Sequence, residues 1–307
     1  MYPTQNAARL TFHVFLYIFF YTKVASSSNA LSVLRNVKSS DVFLNPYPHL
    51  IVKNCLPTEV YQELANTYPD YREIMRVKSI DRKAFNLRVD LNQVDIFSGK
   101  VHNVSKIWKE FVKYHSSQAF YNEVVGVFGD ALNSYTKHHL RWLGKPFEQC
   151  KTGLRRVKGR SFTGTGCDFQ LEVNVGVNTP TRGGTSTRGE HLDQYRELYA
   201  ALLYFRENTD NSTGGALEIL ECKKLMCRVL SKTKQELLRQ KVGGEVMFNP
   251  DDFNSVMKVE YEPNTLIFFL NGPISYHRVT MRSKSMFPRR LVNIIADRSN
   301  GRKCYSM

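Results

Sequence analysis

The chain has 307 residues, of which 42% are hydrophobic, and a formal net charge of +15. Its length suffices for one large domain or two small ones, and its composition is that of a folded protein and not of a disordered one. The six cysteines are scattered without a C-x-x-C pair, which argues against a structural zinc site.

The excess positive charge lies in three segments, residues 141–160, 222–241 and 278–303, each with seven or eight basic residues against one acid. Such clusters indicate either an anionic partner or ordinary solvated basic faces. Because no recognisable nucleic-acid module accompanies them, solvated faces are favoured, and nucleic acid is not a favoured partner.

At the N-terminus, residues 10–22 form an aromatic-rich apolar run of 13 residues, shorter than a membrane-spanning helix. The run fits a secretory signal, with Arg9 before it and small residues after it, although His13 and the single charge count against this. Both a cytoplasmic and a secretory or anchored location stay open. Residues 1–44 are thus interpreted as an apolar segment followed by a polar linker.

Residues 45–150 are predicted to be a mostly helical support region. A short strand at residues 50–52 precedes a helix that opens at Pro57. Further helices begin near Ser105 and Ser117, and each carries an apolar stripe at helical spacing. The stripes predict packing against a neighbouring sheet.

After residue 150 the pattern changes to short strands separated by turn residues, among them "DFQLEVNVGV", "LYAALLYFRE", "GALEIL", "NTLIFFLNG" and "RLVNIIAD". Because no helices alternate with these strands, an antiparallel sandwich or barrel is predicted. The fold class is therefore α+β with a mainly β core. Residues 151–300 form the β domain, and residues 222–241 form a basic helical insertion within it.

A histidine and an aspartate stand two residues apart in "GEHLDQYR". In an extended strand, His191 and Asp193 project to the same face while Leu192 points to the opposite one. Downstream, "PISYHRV" places His277 at the start of another strand of the same region. Two histidines and one carboxylate can cover one face of an octahedral Fe(II) and leave three positions open. An incidental surface pair, or a histidine of the core, is the plainer alternative.

Two arginines open the last strand, "PRRLVNIIAD". An arginine at this place suits the far carboxylate of a 2-oxo acid, since its planar group binds both oxygens. Arg289 and Arg290 point to opposite faces of the strand, and both faces are largely apolar. Alternation alone therefore leaves the choice between them open.

The ordered set of His191-x-Asp193, "YAALLYFRENTDNSTGGALEIL", "NTLIFFLNGPISYHRVT" and "PRRLVNIIAD" resembles the 2-oxoglutarate- and Fe(II)-dependent oxygenases, specifically their prolyl 4-hydroxylase-like branch. The openings "NPYPHLIVKNCLPTEVYQELANTYPD" and "RVDLNQVDIFSG" also resemble the N-terminal part of members of this group. The resemblance covers roughly residues 45–298.

The resemblance implies a double-stranded β-helix, or jelly roll, in which His191, Asp193 and His277 hold Fe(II). It implies that Arg289 binds the far carboxylate of 2-oxoglutarate. It further implies that Tyr204 hydrogen-bonds this carboxylate and that Leu217 forms an apolar wall of the pocket. The resemblance is also compatible with ascorbate as an additional cofactor.

The implied function is a dioxygenase that uses dioxygen and 2-oxoglutarate to hydroxylate a C–H bond. The substrate is unidentified, with an anionic compound and a protein side chain both open, and so is the oligomeric state. Collagen-type prolyl hydroxylases favour lysine where Arg289 stands, so peptidyl proline is not implied. The alternative from another class is a non-catalytic jelly-roll module that binds an anionic polymer through its basic faces and takes up no iron.

Overall fold

The computed structural model describes residues 28–81, 83–154, 165–223, 246–299 and 303–304. The predicted apolar run at 10–22 and most of the predicted basic insertion at 222–241 lie outside these ranges. Among the residues described, no helix is both long and apolar enough to cross a membrane.

Helices dominate the first half of the described chain. The predicted helix beginnings are confirmed: one helix follows Pro57, and the hydroxyls of Ser105 and Ser117 accept the backbone N–H groups of Trp108 and Phe120 at the starts of two others. The α-helices are α1 (Ser28–Leu31), α2 (Thr58–Asn66), α3 (Tyr71–Val77), α4 (Gln93–Phe97), α5 (Lys106–His115), α6 (Gln118–Tyr135) and α7 (Lys137–Leu143).

The second half is mainly β, as predicted. The strands are β1 (His49–Lys53), β2 (Arg88–Leu91), β3 (Thr152–Leu154), β4 (Thr165–Gly166), β5 (Phe169–Asn178), β6 (His191–Leu192), β7 (Glu197–Tyr204), β8 (Leu217–Cys222), β9 (Val246–Met247), β10 (Phe253–Val259), β11 (Thr265–Leu270), β12 (His277–Val279), β13 (Arg289–Arg298) and β14 (Lys303–Cys304). Short 3-10 turns lie at Ser39–Asp41, Phe147–Gln149 and Pro250–Asp252.

These strands form two main sheets, and nearly all of the pairing is antiparallel. The larger sheet has the order β1-β11-β7-β13-β5-β2, with β3 parallel to the end of β5. The smaller sheet has the order β10-β8-β12-β6-β9. The region predicted to be helical thus also supplies β1 and β2, one at each edge of the larger sheet.

The larger sheet is covered on both faces, and alternate residues of its strands belong to different cores. On β7, Ala201 and Leu203 pack in one cluster with the helices, whereas Ala200 and Leu202 pack in a second cluster with Leu217 of the smaller sheet. The predicted packing of the helical stripes against a sheet is therefore confirmed. The space between the two sheets holds the candidate site.

Candidate metal centre and its cavity

The two histidines and the aspartate converge although β6 and β12 are far apart in sequence. His191 and His277 are direct partners across the β6–β12 pair, and their ring centroids lie 4.1 Å apart. Each Nε2 atom is 3.6 Å from a carboxylate oxygen of Asp193. Leu192 points the opposite way into a separate apolar cluster, as the alternation predicts.

Backbone carbonyls orient both rings. The Nδ1 atom of His191 lies 2.7 Å from the carbonyl oxygen of Gly189, and that of His277 lies 2.9 Å from the carbonyl oxygen of Ser275. If each Nδ1 carries the hydrogen and donates it, each Nε2 keeps a free lone pair. The Nε2 of His191 is buried and has no hydrogen-bond partner among the described residues.

The charge states suit a cation. Burial, together with the neighbouring His191, lowers the pKa of His277 to about 4, so its ring is neutral at neutral pH. Burial by itself raises the pKa of Asp193, but the adjacent His277, His191 and Arg188 outweigh burial and hold it well below its usual range. Neutral imidazoles and an ionised carboxylate are the forms in which these groups bind metals.

The three side chains therefore fit a metal ion. Their ligand atoms all lie within 4.8 Å of one another, and they open onto a cavity of about 260 Å³. Two nitrogens and one oxygen on one side of an ion, with room on the other side, are the donor set of facial Fe(II) sites. A closed four-ligand zinc site would need a fourth protein ligand, and within the part of the chain that the structure describes the cluster contains three.

The same cavity contains a buried arginine with unused hydrogen-bond donors. The side chain of Arg289 is 3% exposed, and its Nη1 donates to Asn178 at 3.1 Å. Its Nε and Nη2 are buried without a partner among the described residues. Arg290 lies on the opposite face of β13, where its Nη2 is 2.8 Å from Glu207. The structure thus brings Arg289, and not Arg290, into the cavity.

Of the two other residues named for the pocket, Tyr204 lies close to Arg289 and Leu217 lines the cavity. The guanidinium carbon of Arg289 is 4.7 Å from the ring centroid of Tyr204, whose hydroxyl is buried without a hydrogen-bond partner among the described residues. Burial raises the pKa of this hydroxyl, which therefore stays protonated.

Sequence analysis missed several polar residues of the cavity. Arg88 and Asp90 of β2 and Glu197 of β7 line it together with the metal cluster. Burial next to Asp193 raises the pKa of Glu197 well above its usual range. The sequence does contain a signal for β2: polar and apolar residues alternate in "RVDL", as is typical of a half-buried strand. The segment stands inside a mostly helical region, however, which hides this signal.

No known family model matches the chain, and no curated protein does. Among solved structures, a Pseudomonas putida prolyl-4-hydroxylase is 14% identical with a TM-score of 0.38, over 88% of this chain and 98% of that one. A prolyl hydroxylase from Trichoplax adhaerens, in complex with a hypoxia inducible factor peptide fragment, is 11% identical with a TM-score of 0.40, over 90% of both chains. A rice dioxygenase for auxin oxidation is 14% identical with a TM-score of 0.37, over 80% and 72%. At such scores the likeness is distant. The chemistry that the site can perform therefore depends on its own side chains.

Proposed function

We propose that this protein is an Fe(II)- and 2-oxoglutarate-dependent dioxygenase that hydroxylates a C–H bond. The observation that carries the proposal is one cavity that holds two imidazoles, an ionised carboxylate and an arginine whose Nε and Nη2 have no hydrogen-bond partner among the described residues. In this proposal His191, Asp193 and His277 hold the metal, and Arg289 binds the far carboxylate of 2-oxoglutarate.

The proposal includes the architecture and the division of the chain. Residues 151–300 would form a double-stranded β-helix, residues 45–150 a supporting region, and residues 1–44 an N-terminal segment, of which Leu31, Val33 and Leu34 are buried in the same core as the helices. The two facing sheets, with the cavity between them, support this arrangement.

The bound Fe(II) would supply the redox chemistry that couples oxidative decarboxylation of 2-oxoglutarate to insertion of oxygen into a C–H bond. The side chains have the tasks of binding and orienting. Arg289 offers two N–H groups to a carboxylate, and Tyr204 offers a protonated hydroxyl next to them. Leu217 gives the pocket an apolar wall, which keeps water from the carboxylate and strengthens these hydrogen bonds.

The partners in this proposal are dioxygen, 2-oxoglutarate and a substrate, with ascorbate as a further cofactor that keeps the iron reduced. The three side chains of the metal cluster line the cavity, and a metal held by them would have room there for further ligands.

The test is release of CO₂ from 1-labelled 2-oxoglutarate with added Fe(II), comparing wild type with His191→Ala. We expect the variant to lose at least 90% of the turnover, because a facial site with two protein ligands binds iron poorly. His102→Ala removes an exposed histidine and is the control. Metal content is measured in parallel by mass spectrometry. Equal turnover and equal iron content in wild type and His191→Ala would reject the proposal.

A further inference from the structure

A second arginine of the cavity is paired with an acid in a way that leaves both groups partly unused. The Nε of Arg88 donates to Oδ2 of Asp90 at 2.8 Å. The Nη2 of Arg88 and the Oδ1 of Asp90 are buried, and neither has a hydrogen-bond partner in the described part of the chain. A buried donor or acceptor without a hydrogen-bond partner lowers the stability of the fold. Such groups are therefore expected where a bound ligand supplies the missing hydrogen bonds.

The larger sheet places this pair next to the proposed 2-oxoglutarate site. Arg88 of β2 and Arg289 of β13 are both direct partners of Asn178 on β5, the strand between them. The three side chains therefore form one row across the sheet, and all three line the cavity of the metal cluster.

A glycine makes room for the acid. Asp90 is the partner of Gly176, and a Cβ atom on Gly176 would lie 1.8 Å from Oδ1 of Asp90. Since a real side chain cannot occupy that space, the free oxygen of Asp90 can lie over the sheet only because residue 176 is a glycine.

The charges of the cavity narrow the kind of group that this pair can bind. The cavity is lined by three arginines and four acidic residues, so it has no positive excess to select a polyanion. The charges of Arg88 and Asp90 cancel. The pair presents one donor nitrogen, the Nη2 of Arg88, beside one acceptor oxygen, the Oδ1 of Asp90. A neutral group with an acceptor beside a donor matches them, and an amide is such a group.

We propose that Arg88 and Asp90 bind an amide of the substrate, with Arg88 donating to the amide oxygen and Asp90 accepting the amide N–H. This inference rests on the proposed function and specifies its substrate class. The amide can belong to a peptide bond or to a small carboxamide. A cavity of about 260 Å³ is smaller than most ligand pockets, so it holds the reacting end of a larger molecule or a small molecule.

The test measures binding and does not need turnover. Protein loaded with Mn²⁺ and 2-oxoglutarate is titrated calorimetrically with the N-acetyl N-methylamides of the twenty amino acids and with the O-acetyl methyl esters of the matching 2-hydroxy acids, in which both amides are replaced by esters. An ester keeps the carbonyl acceptor and lacks the N–H. We expect at least one amide to bind wild type about tenfold to a hundredfold more tightly than its ester, because a hydrogen bond to a charged acceptor is lost. A second series of titrations uses simple carboxamides and shows whether the pair prefers the amide of a peptide bond or that of a small carboxamide.

Two variants test the pair. In Asp90→Asn the side-chain oxygen faces Arg88, so the free position becomes a donor, and the preference for amide over ester should fall to less than threefold. Arg88→Gln should weaken amide and ester alike, about tenfold, because both use the carbonyl oxygen. Arg290→Gln removes an arginine paired with an acid on the other face of the sheet and should behave as wild type. Circular dichroism shows whether each variant is folded.

The inference is overturned if no amide binds wild type at concentrations up to about 10 mM, where even a very weak ligand would bind. It is overturned as well if every amide binds only as tightly as its ester. It is also overturned if Asp90→Asn, folded, keeps the full preference. CO₂ release from 2-oxoglutarate is assayed separately without amide. A protein that decarboxylates 2-oxoglutarate but does not distinguish amide from ester keeps the proposed function and loses this inference.

Discussion

The two arginines at the start of β13 differ by one position and lie on opposite faces of the strand. Arg289 is buried with two nitrogens that no described residue hydrogen-bonds, and Arg290 pairs with Glu207. A strand that is covered on both faces has no polar side that would reveal which arginine enters the site. The distinction thus depends on which layer packs on each face.

We expect Arg289→Gln to raise the KM for 2-oxoglutarate by roughly tenfold to a hundredfold, because charge-assisted hydrogen bonds to a buried carboxylate are lost. Steady-state CO₂ release at varied 2-oxoglutarate measures this change. Arg290→Gln is the matched control and should change KM less than twofold. A larger effect of the Arg290 variant would mean that the wrong arginine has been assigned.

A buried histidine away from the site should make stability depend on pH. His115 of α5 has its Nδ1 2.8 Å from the carbonyl oxygen of Phe111, and its Nε2 accepts the backbone N–H of Val33 at 3.2 Å. Burial lowers its pKa to about 3. The neutral form is therefore the one that fits the fold.

As the pH falls below about 6.5, the unfolded chain takes up a proton at His115 and the folded chain does not. The free energy of unfolding should then fall by up to about 1.4 kcal/mol per pH unit until the pH approaches 3. Urea unfolding between pH 7 and 5 measures this slope. His115→Gln should lessen the slope by up to that amount, because burial still keeps the pKa values of His139 and His277 low in the variant. Replacement of the exposed His102 is the matched control. An unchanged slope in the His115 variant would contradict the assignment.

At the scale of elements, the two-residue strand β6 and the three-residue strand β12 hold the metal cluster through a single direct pair. The smaller sheet is completed by longer strands such as β8 and β10, which give it the stability that β6 lacks. Sequence alternation correctly predicts that His191 and Asp193 share a face, because this depends only on an extended backbone. The pairing of His191 with His277 depends on a contact between distant parts of the chain.

The close approach of β2 to β5 depends on Gly176. We expect Gly176→Ala to lower the free energy of unfolding by about 1–3 kcal/mol, because the new methyl group displaces Asp90 or separates the strands. Thermal or urea unfolding measures the change. Gly126, on the exposed side of α6 with no atom within 4 Å of a built Cβ, is the control. Gly126→Ala should be neutral or stabilising by up to about 1 kcal/mol. Equal effects of the two substitutions would exclude the proposed crowding.

At the scale of the whole molecule, a metal ion would link the neighbouring strands β6 and β12 of the smaller sheet at the wall of the cavity. The excess charge of +15 is a property of the whole chain and is absent from the cavity, where acidic residues slightly outnumber arginines.

We expect Mn²⁺ at a hundredfold excess over its Kd to stabilise the protein by about 2.7 kcal/mol, which raises Tm on the order of 5 °C. Scanning fluorimetry with and without a chelator measures this shift. Asp193→Asn should abolish it, and Asp130→Asn, at an exposed position of α6, should not. No shift in wild type, combined with salt-sensitive binding of heparin, would favour the non-catalytic polyanion-binding alternative.

The sequence by itself determined the local features of this protein. Helix starts at Pro57, Ser105 and Ser117, the change from helical to strand periodicity, and the shared face of His191 and Asp193 all follow from contacts between near neighbours. The family resemblance had pointed to Arg289, but strand alternation left the choice between Arg289 and Arg290 open. The tertiary structure decided that Arg289 enters the cavity and that Arg88 and Asp90 of the N-terminal half join it. These placements depend on which layer covers each face of a strand and on pairing between distant segments, and local periodicity carries no information about either.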